Sequence, residues 1–538
     1  MKTLFRLPVI VTLLVVLGLA GPAYASQPAL AVDPAGEARS ALETNGAGLT
    51  TEPSVNPIPW DGPTVLPEYL GAPAKAHPLA PAHVPQNPFL AQNPFNYVHN
   101  DPWMSDTYDI AGPLGRAPAV MTSNLVEARH DPDSKAYMCT IMFDRLGRLV
   151  TSCGEPGSWG LALIDPETLE VLAHENLPGT YDMYTIVATG YVYLDNLDRV
   201  VLPGFDNKIQ VRTTSPSLGH PAFELVSEYD IAAYVPSGDR VNGLMADWQG
   251  RIWFVVRNAA TVGVVDPATG SIKVLALEGS ITNSFAMDRD AAYIVTTKWL
   301  YRVELDPDGT PQVVWKEGYE NIGVIKPGQL SAGSGTTPTI FNNGKYVAIT
   351  DNADQMHVVV YRTDTRLDPG EERIVCQVPV FDEGKGSLDN SLMGAGRSLI
   401  VFNNYGYDLN TSMYESMSPP SEPGIARIDV DPNGKGCNNS QPIWENDSVM
   451  VMDEGMKMST KTGLIYTVTR KYDTEGYESP GLSVFYLTAT DFRTGEVKWE
   501  RMMGAGWNFD GFSAVYLGPN GTAYIGQYGG IIAVRDTY

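Results

Sequence analysis

Residues 487–500, LTATDFRTGEVKWE, and residues 518–536, GPNGTAYIGQYGGIIAVRD, consist of short apolar runs separated by turn residues. The runs are rich in β-branched and aromatic residues and are too short for typical helices, so they predict strands. Between the runs, Asp, Pro, Asn and Gly stand where a chain reversal needs their backbone preferences. Both stretches therefore predict tight antiparallel hairpins.

The same unit recurs along the chain. Each copy has an apolar strand, a tight turn, a second apolar strand and a polar loop, and the first turns follow one another at intervals of about 40 to 65 residues. These turns begin at Asp144, Asp195, Asp247, Asp288, Asn342, Gly394, Thr460 and Gly518. The repeat predicts an all-β propeller of about eight four-stranded blades, with seven as the alternative, over residues 119–538.

Residues 487–500 and 518–536 also resemble the repeat of the pyrroloquinoline-quinone-binding-like propellers, and residues 314–317 and 443–445 echo it with a tryptophan. The resemblance implies a propeller fold and an oxidoreductase that uses pyrroloquinoline quinone and calcium, as the quinoprotein dehydrogenases of that superfamily do. The superfamily also contains non-enzymatic scaffolds. The dehydrogenases often carry two adjacent cysteines beside the quinone, and this sequence has no such pair.

The first 25 residues have the pattern of a signal peptide. Lys2 and Arg6 accompany an apolar run over residues 7–19, and Ala23 and Ala25 form a small-x-small cleavage signal. Such a pattern predicts export and cleavage near Ala25. We therefore expect a secreted or periplasmic protein.

Residues 26–118 form a Pro-rich leader in which regular helices and sheets are not expected. Its second half, residues 84–118, is called the strap here. The strap carries the aromatic residues Phe89, Phe95, Tyr97, Trp103 and Tyr108. That much aromatic surface predicts an ordered segment that lies on the propeller.

The four cysteines and the chain ends fit the blade pattern. Cys139 and Cys153 face each other across one hairpin, and Cys376 and Cys437 lie in the outer parts of consecutive blades. An exported chain with an even cysteine count predicts two disulfides.

The last repeat ends after three strands, so residues 119–124 are expected to supply its fourth strand and to cover the open edge.

The net charge excludes two classes of partner. At −25, the chain repels phosphate backbones and anionic lipid headgroups. After the signal peptide, no segment approaches the roughly 20 apolar residues of a membrane span. The expected partner is a small molecule at the propeller axis, and a protein partner is a further possibility.

In a propeller, the entrance of each first strand and the loop between the second and third strands reach the same face. Polar side chains at these places should converge around the axis. The predicted cofactor-binding residues are Asp182, Asp239, Asp389 and Asp510 at strand entrances, and Arg257, Trp299, Asn352, Asn403 and Arg470 in or beside the loops. Asp and Asn also populate turns for backbone reasons, which is the structural alternative for each of them.

The predicted catalytic residues are Asp351, His357 and Lys298. A histidine with an orienting carboxylate suits acid–base chemistry. Lys298 would stabilise negative charge, and Trp299 beside it would stack on a planar ring. A solvent-exposed loop histidine is the alternative interpretation of His357.

Three functions follow from these features. The first is a quinoprotein-like oxidoreductase that acts on a small polar organic molecule at the axis. The second is a binding or assembly propeller without turnover, suggested by the Pro-rich leader. The third is a cofactor-independent hydrolase or lyase that uses carboxylates and bound calcium.

Overall fold

The structure is a computed structural model that describes residues 63–124, 138–155, 158–178, 190–204, 206–215, 220–407, 420–452, 455–506, 514–527 and 530–538. The predicted signal peptide lies outside these residues, as do Asp182 and Asp510. Within the described chain, strands dominate, and the helical elements are the 3₁₀ helices Ala232–Tyr234 and Asn438–Ser440. No helix in this part of the chain is long and apolar enough to cross a bilayer.

Eight antiparallel sheets follow one another along the chain and form an eight-bladed propeller, which confirms the predicted fold and decides between eight and seven blades. Three strands precede the first blade: β1 (Tyr69–Gly71), β2 (Thr107–Tyr108) and β3 (Ala119–Asn124). Blade 1 contains β4 (Met138–Phe143), β5 (Leu149–Glu155), β6 (Ser158–Ile164) and β7 (Val171–Leu177). Blade 2 contains β8 (Tyr193–Leu194), β9 (Val200–Pro203), β10 (Lys208–Thr213) and β11 (Glu224–Asp230).

The next three blades have the same order. Blade 3 contains β12 (Val241–Ala246), β13 (Ile252–Val256), β14 (Thr261–Val265) and β15 (Ile272–Ala276). Blade 4 contains β16 (Ala286–Met287), β17 (Ala291–Val295), β18 (Trp299–Leu305) and β19 (Pro311–Gly318). Blade 5 contains β20 (Thr339–Phe341), β21 (Tyr346–Thr350), β22 (His357–Arg362) and β23 (Ile374–Pro379).

The last three blades complete the ring. Blade 6 contains β24 (Met393–Ala395), β25 (Ser398–Phe402), β26 (Ile425–Asp429) and β27 (Trp444–Asn446). Blade 7 contains β28 (Lys457–Ser459), β29 (Leu464–Asp473), β30 (Leu482–Asp491) and β31 (Val497–Ala505), and β1 and β2 add to its two edges. Blade 8 contains β32 (Val515–Leu517), β33 (Ala523–Gln527) and β34 (Gly530–Arg535).

Blade 8 is closed by the other end of the propeller domain. Strand β3 pairs antiparallel with β34, from Ala119 opposite Arg535 to Asn124 opposite Gly530. This pairing confirms the predicted closing strand. The ladder leaves no open edge on β34, and it joins the two ends of the ring without a covalent bond.

The first turns of blades 1 to 3 share one geometry that explains their sequence. In each turn an aspartate accepts two backbone N–H groups through one oxygen, while its other oxygen accepts Nε of an arginine four residues later at 2.6–2.7 Å. The pairs are Asp144 with Arg148, Asp195 with Arg199 and Asp247 with Arg251. These aspartates therefore hold hairpins, as backbone preferences predict.

Both predicted disulfides are present. Cys139 lies opposite Cys153 on neighbouring strands of blade 1, and Cys376 of β23 is bonded to Cys437, which precedes the second 3₁₀ helix in blade 6. The second bond therefore joins two consecutive blades. These two disulfides fit a secreted or periplasmic protein.

The strap crosses the hub, which is the central channel lined by the first strand of each blade. Backbone amides in the first strands of blades 1, 2, 4, 5, 6 and 7 donate to strap carbonyls over 2.7–3.1 Å, and the Asn87 side chain donates to the first strand of blade 3. Most of these bonds involve the last residues of the first strands. The strap thus closes the end of the channel opposite the strand entrances.

Candidate functional site

Asp351 and His357 lie together on the upper rim, which is the face that carries the strand entrances and the loops between second and third strands. His357 begins β22, and its Nδ1 lies 2.8 Å from Oδ2 of the buried Asp351. The other carboxylate oxygen accepts the backbone N–H of His357 at 2.8 Å. The hydrogen bond to Asp351 raises the pKa of His357.

Three other predicted residues are engaged in holding their own loops. Asp239 accepts two backbone N–H groups of the neighbouring loop at 2.9 and 2.7 Å. Asn403 accepts two backbone N–H groups and donates to a carbonyl. Asn352 donates to a side-chain amide oxygen and to a carbonyl at 2.9 and 3.0 Å. These contacts place the three side chains as structural supports of the rim.

Lys298 and Trp299 lie at the junction of the second and third strands of blade 4, which corresponds to the position of Asp351 and His357 in blade 5. The Trp299 ring packs against Gly318 of the outermost strand, and Nζ of Lys316 stands 4.6 Å from the ring centroid. Lys298 is exposed and lies near Glu278, whose pKa is lowered mainly by Lys316. The described contacts therefore place the Trp299 ring against the outermost strand, and they do not join Lys298 or Trp299 to the pair of Asp351 and His357.

Arg257 and Asp389 come from blades 3 and 6 and interact electrostatically at the hub. Asp389 is buried at the entrance to the first strand of blade 6, and its Oδ2 accepts the N–H of Leu330. Burial raises the pKa of Asp389 to about 7, although the Leu330 hydrogen bond and Arg257 act in the opposite direction. Arg470 is buried on β29, with its guanidinium 5.3 Å from the Tyr472 ring centroid.

A polar cluster at the hub was not expected from the sequence. His99 and Asp106 belong to the strap, while Ser391 and Lys457 belong to the first strands of blades 6 and 7 or their entrances. Nδ1 of His99 lies 3.1 Å from Oδ2 of Asp106 and 2.8 Å from the Ser391 hydroxyl. Lys457 donates to Oδ1 of Asp106 and, at 2.7 Å, to the carbonyl of Val98. All four side chains are buried.

The charges of this cluster follow from burial and pairing. Burial alone would raise the pKa of Asp106, but Lys457 and His99 outweigh it and hold that pKa below its usual value. Burial lowers the pKa of His99, and Lys457 adds to the effect, although Asp106 opposes it. The cluster therefore contains an ion pair next to a neutral imidazole. Because Asp106 occupies Nδ1, the proton resides there and Nε2 is the acceptor.

Aromatic and amide side chains connect His99 to Asp389. The ring of Tyr191 lies 6.1 Å from that of His99 and 6.5 Å from that of Tyr97, measured between centroids. The Tyr191 hydroxyl donates to Asn283, and the Asn283 amide donates to the backbone carbonyl of Asp389 at 2.8 Å. The hub thus contains one continuous network from the strap to the strand entrances.

Several buried polar atoms of this network have no hydrogen-bond partner within the described residues. They are Nε2 of His99, both amide atoms of Asn100, Oδ1 of Asn242 and Oδ1 of Asp389. Buried polar groups in proteins are nearly always satisfied by protein, water or ligand. Unpartnered groups on the strap and on the walls of blades 3 and 6 therefore leave the hub with hydrogen-bonding capacity that the described side chains do not use.

The sequence carried one signal for this cluster that pattern analysis passed over. His99, Asn100 and Asp101 form a polar run inside an otherwise aromatic and Pro-rich strap. Buried Asp101 accepts the backbone N–H groups of Trp103 and Ser105, and burial raises its pKa to about 7. Local spacing could not reveal Lys457, which lies more than 350 residues away in the chain.

Trp299 and Asp106 do not supply the stacking surface and the calcium ligand that the implied quinone and calcium would need. Pyrroloquinoline quinone is a flat tricarboxylate that needs cations and a stacking surface. Arg257 is a cation at the hub, but the Trp299 ring lies on the outermost strand of its blade. Calcium prefers six to eight oxygen ligands, whereas both oxygens of Asp106 are engaged by Lys457, His99 and Ser391.

Comparison with known proteins assigns no activity to this chain. No protein-family model matches the chain. An uncharacterized protein of Archaeoglobus fulgidus is 24% identical over 482 residues, covering 83% of this chain and 89% of the relative. Virginiamycin B lyase of Staphylococcus aureus is 14% identical, with a TM-score of 0.39 over 65% of this chain and 96% of that structure. The β-propeller domain of Cps50 (Swd1) from Myceliophteria thermophila is 10% identical, with a TM-score of 0.37 over 73% and 95%.

Proposed function

We propose that the protein is an exported enzyme that carries out acid–base chemistry, of the hydrolase or lyase type, on a small polar molecule bound at the hub. The observation that carries the proposal is the state of His99. Its Nδ1 is held by Asp106, and its Nε2 is buried without a partner among the described residues. An imidazole oriented by a carboxylate at one nitrogen is able to accept a proton at the other.

The neutral state of His99 supports this role. A base must be unprotonated at the working pH, and burial together with Lys457 lowers the pKa of His99. Asp106 remains ionised beside Lys457, so it orients the imidazole and stabilises the imidazolium that forms when a proton is taken. Ser391 fixes the same edge of the ring.

A second titratable group at the hub supports acid–base chemistry in both directions. Asp389 has a pKa of about 7, so it exists as acid and as carboxylate near neutral pH. Its Oδ1 has no hydrogen-bond partner within the described chain. Arg257 supplies positive charge near the carboxyl group, which suits a substrate that develops negative charge.

Export is part of the proposal. The basic and apolar start of the chain, with small residues at Ala23 and Ala25, has the pattern of a cleaved signal peptide. Two disulfides agree with an oxidising compartment. The enzyme would then act on molecules outside the cytoplasm.

The test is a thermal-shift screen of the purified protein with sugar lactones, sugar acids and pyrroloquinoline quinone plus calcium. A hub ligand should raise the Tm of the wild type but not that of His99→Gln, because Gln cannot replace the oriented imidazole. The matched control is His174→Gln, an exposed histidine on an outermost strand. Ligands that shift the wild type are then followed by NMR for conversion.

The outcomes separate the three functions. Conversion by the wild type and by His174→Gln, with loss of at least about 100-fold in His99→Gln, supports acid–base catalysis at the hub. The proposal of acid–base catalysis would be replaced by the quinoprotein oxidoreductase if pyrroloquinoline quinone with calcium stabilised the protein and supported dye reduction with an alcohol or sugar. Equal behaviour of wild type and His99→Gln towards every ligand would favour a binding or assembly platform.

A further inference from the structure

We infer that Glu320, Asp351 and His357 bind a divalent first-row transition-metal ion, such as Zn²⁺, on the upper rim. One ligand atom from each of the three side chains lies within 4.8 Å of the other two. Two carboxylates and an imidazole form a ligand set that such ions accept. This inference concerns the rim and is independent of the function proposed for the hub.

The three ligands differ in exposure in a way that suits an accessible ion. The Asp351 side chain is fully buried, the His357 side chain is 20% exposed, and Glu320 is exposed. An ion at this place would be bound by the buried Asp351 on its inner side and would face solvent on its outer side. Water or another small ligand would fill the coordination positions that the protein leaves free.

The backbone around the ligands is fixed by contacts that do not depend on a metal. Oδ1 of Asp351 accepts the backbone N–H of His357 at 2.8 Å. The carbonyl of Glu320 accepts the N–H of Asn352 at 3.0 Å, and the carbonyl of Asn352 accepts the N–H of Ile322 at the same distance. Glu320 is thereby held next to Asp351 although 31 residues separate them in sequence. Such supports keep metal ligands in position.

The electrostatic surroundings also favour a divalent cation. Two carboxylates meet one imidazole, so the negative charges of the set outnumber any positive charge on the imidazole. The buried ammonium of Lys326 donates to the backbone carbonyls of Ala353 and Gly386. The ammonium is thus hydrogen-bonded to neutral carbonyls, although it interacts electrostatically with Asp351 and His357 and offsets part of the negative charge of the carboxylates.

The imidazole discriminates between kinds of cation. Ca²⁺ and Mg²⁺ prefer oxygen ligands in larger number, whereas Zn²⁺ and its neighbours bind histidine nitrogen well. We therefore expect Zn²⁺ and Co²⁺ to bind more tightly than Ca²⁺. In the metal-free state Nδ1 of His357 contacts Asp351 at 2.8 Å, and the incoming ion would take the place of the shared proton.

Metal binding at this place would connect the rim to the hub. Glu320 is the second residue of the long connection between blades 4 and 5, residues 319–338, and the same connection carries Leu330, whose N–H donates to Asp389. An ion shared by Glu320 and blade 5 would tie down the start of this connection. The segment that covers the Asp389 carboxylate would then be held more firmly against blade 5.

The experiment is a calorimetric titration of the metal-free, untagged full-length protein with Zn²⁺, paralleled by Co²⁺ absorbance and by a Ca²⁺ titration. The variants are Glu320→Gln, which alters an exposed side chain, and His357→Gln. The matched control is Asp354→Asn, which removes an exposed carboxylate from the same loop but not from the ligand set. Circular dichroism of each variant checks its fold.

We expect the wild type to show one saturable Zn²⁺ site and a Co²⁺ ligand-field band. The Zn²⁺ affinity should fall at least about ten-fold in Glu320→Gln and in His357→Gln but should not change in Asp354→Asn. The proposal is overturned if the wild type takes up no Zn²⁺ in a saturable way. It is equally overturned if Glu320→Gln binds as the wild type does, or if Ca²⁺ binds more tightly than Zn²⁺. Because no hub residue is changed, failure here leaves the proposed function untouched.

Discussion

Asp106 and His99 meet inside the hub, where Oδ2 of the aspartate lies 3.1 Å from Nδ1 of the histidine. Both residues come from the strap, seven positions apart, but the Lys457 that compensates the aspartate comes from the first strand of blade 7. The strap therefore supplies the histidine and the aspartate of the candidate site in addition to packing against the blades. The hub cluster forms only when the strap and the first strand of blade 7 come together.

Asp106→Asn should destabilise the protein by about 3–5 kcal/mol, because it leaves the buried ammonium of Lys457 without its counter-charge. Adding Lys457→Met to Asp106→Asn should recover part of that loss, since no unpaired charge then stays buried. Urea unfolding of the two variants and the wild type measures the difference. A double variant that is less stable than the single variant would show that the ion pair does not govern stability at the hub.

His99 should stay neutral at pH 6.5, where an ordinary imidazole is half protonated, because burial and Lys457 lower its pKa. Its proton should reside on Nδ1, since Asp106 accepts there. Correlation of ring nitrogens and carbon-bound protons in ¹⁵N-histidine-labelled protein reports both the charge and the tautomer. His99→Gln assigns the signal, and an Nε2–H tautomer would contradict the proposed base.

Asp389→Asn should be more stable relative to the wild type at pH 8 than at pH 5. The folded-state pKa of about 7 lies above the ordinary value of 3.8. The contribution of Asp389 is therefore fully present below about pH 4 and is lost as the pH rises through 7. At about 1.4 kcal/mol per pKa unit, the part of this loss that falls between pH 5 and pH 8 is at most about 3 kcal/mol.

Urea unfolding at both pH values measures this effect. Asn keeps the size of the side chain and cannot ionise, so the variant should show a smaller decline in stability between pH 5 and pH 8 than the wild type. The part of the decline that comes from Asp101, whose pKa is also about 7, should remain. Asp354→Asn, an exposed carboxylate on the rim, is the control. Parallel pH profiles for wild type and Asp389→Asn would mean that Asp389 titrates in its ordinary range.

The two disulfides should differ in their contribution to stability. Cys376 and Cys437 close a loop with a sequence separation of 61, whereas Cys139 and Cys153 are separated by 14. The chain-entropy account predicts that the longer loop stabilises more, by about 1 kcal/mol. Replacing each pair by alanine and comparing the free energies of unfolding tests this order. A larger loss for the blade 1 pair would show that local packing outweighs loop entropy.

Much of the fold could be predicted because its determinants are local. The aspartates at positions 144, 195 and 247 stabilise their hairpins through hydrogen bonds within five residues, so the local sequence pattern is enough to predict these turns. The closing strand followed from counting: the last repeat lacked one strand, and residues 119–124 had strand character. The cysteine pairs followed from their positions in neighbouring strands or blades.

The candidate site could be predicted only in part. Asp351 and His357 are six residues apart on one loop, and the structure places them together as the sequence suggested. Trp299 stands beside the loop as expected, but its ring turns towards the outermost strand, because Gly318 opposite it leaves room there. A residue's position along a blade does not determine which of two neighbouring spaces its side chain enters.

The amino-acid sequence by itself determined the repeating hairpins, a propeller of about eight blades and the pairing of cysteines, since each depends on residues close in the chain or on a period that can be counted. Only the tertiary structure decided that His99, Asp106, Ser391 and Lys457 form one cluster. Closing eight blades into a ring brings their first strands to a common axis, and the strap laid across that axis meets all of them. Contacts that form only when the ring closes join residues that are distant in the chain, so no repeat or spacing in the sequence reveals them.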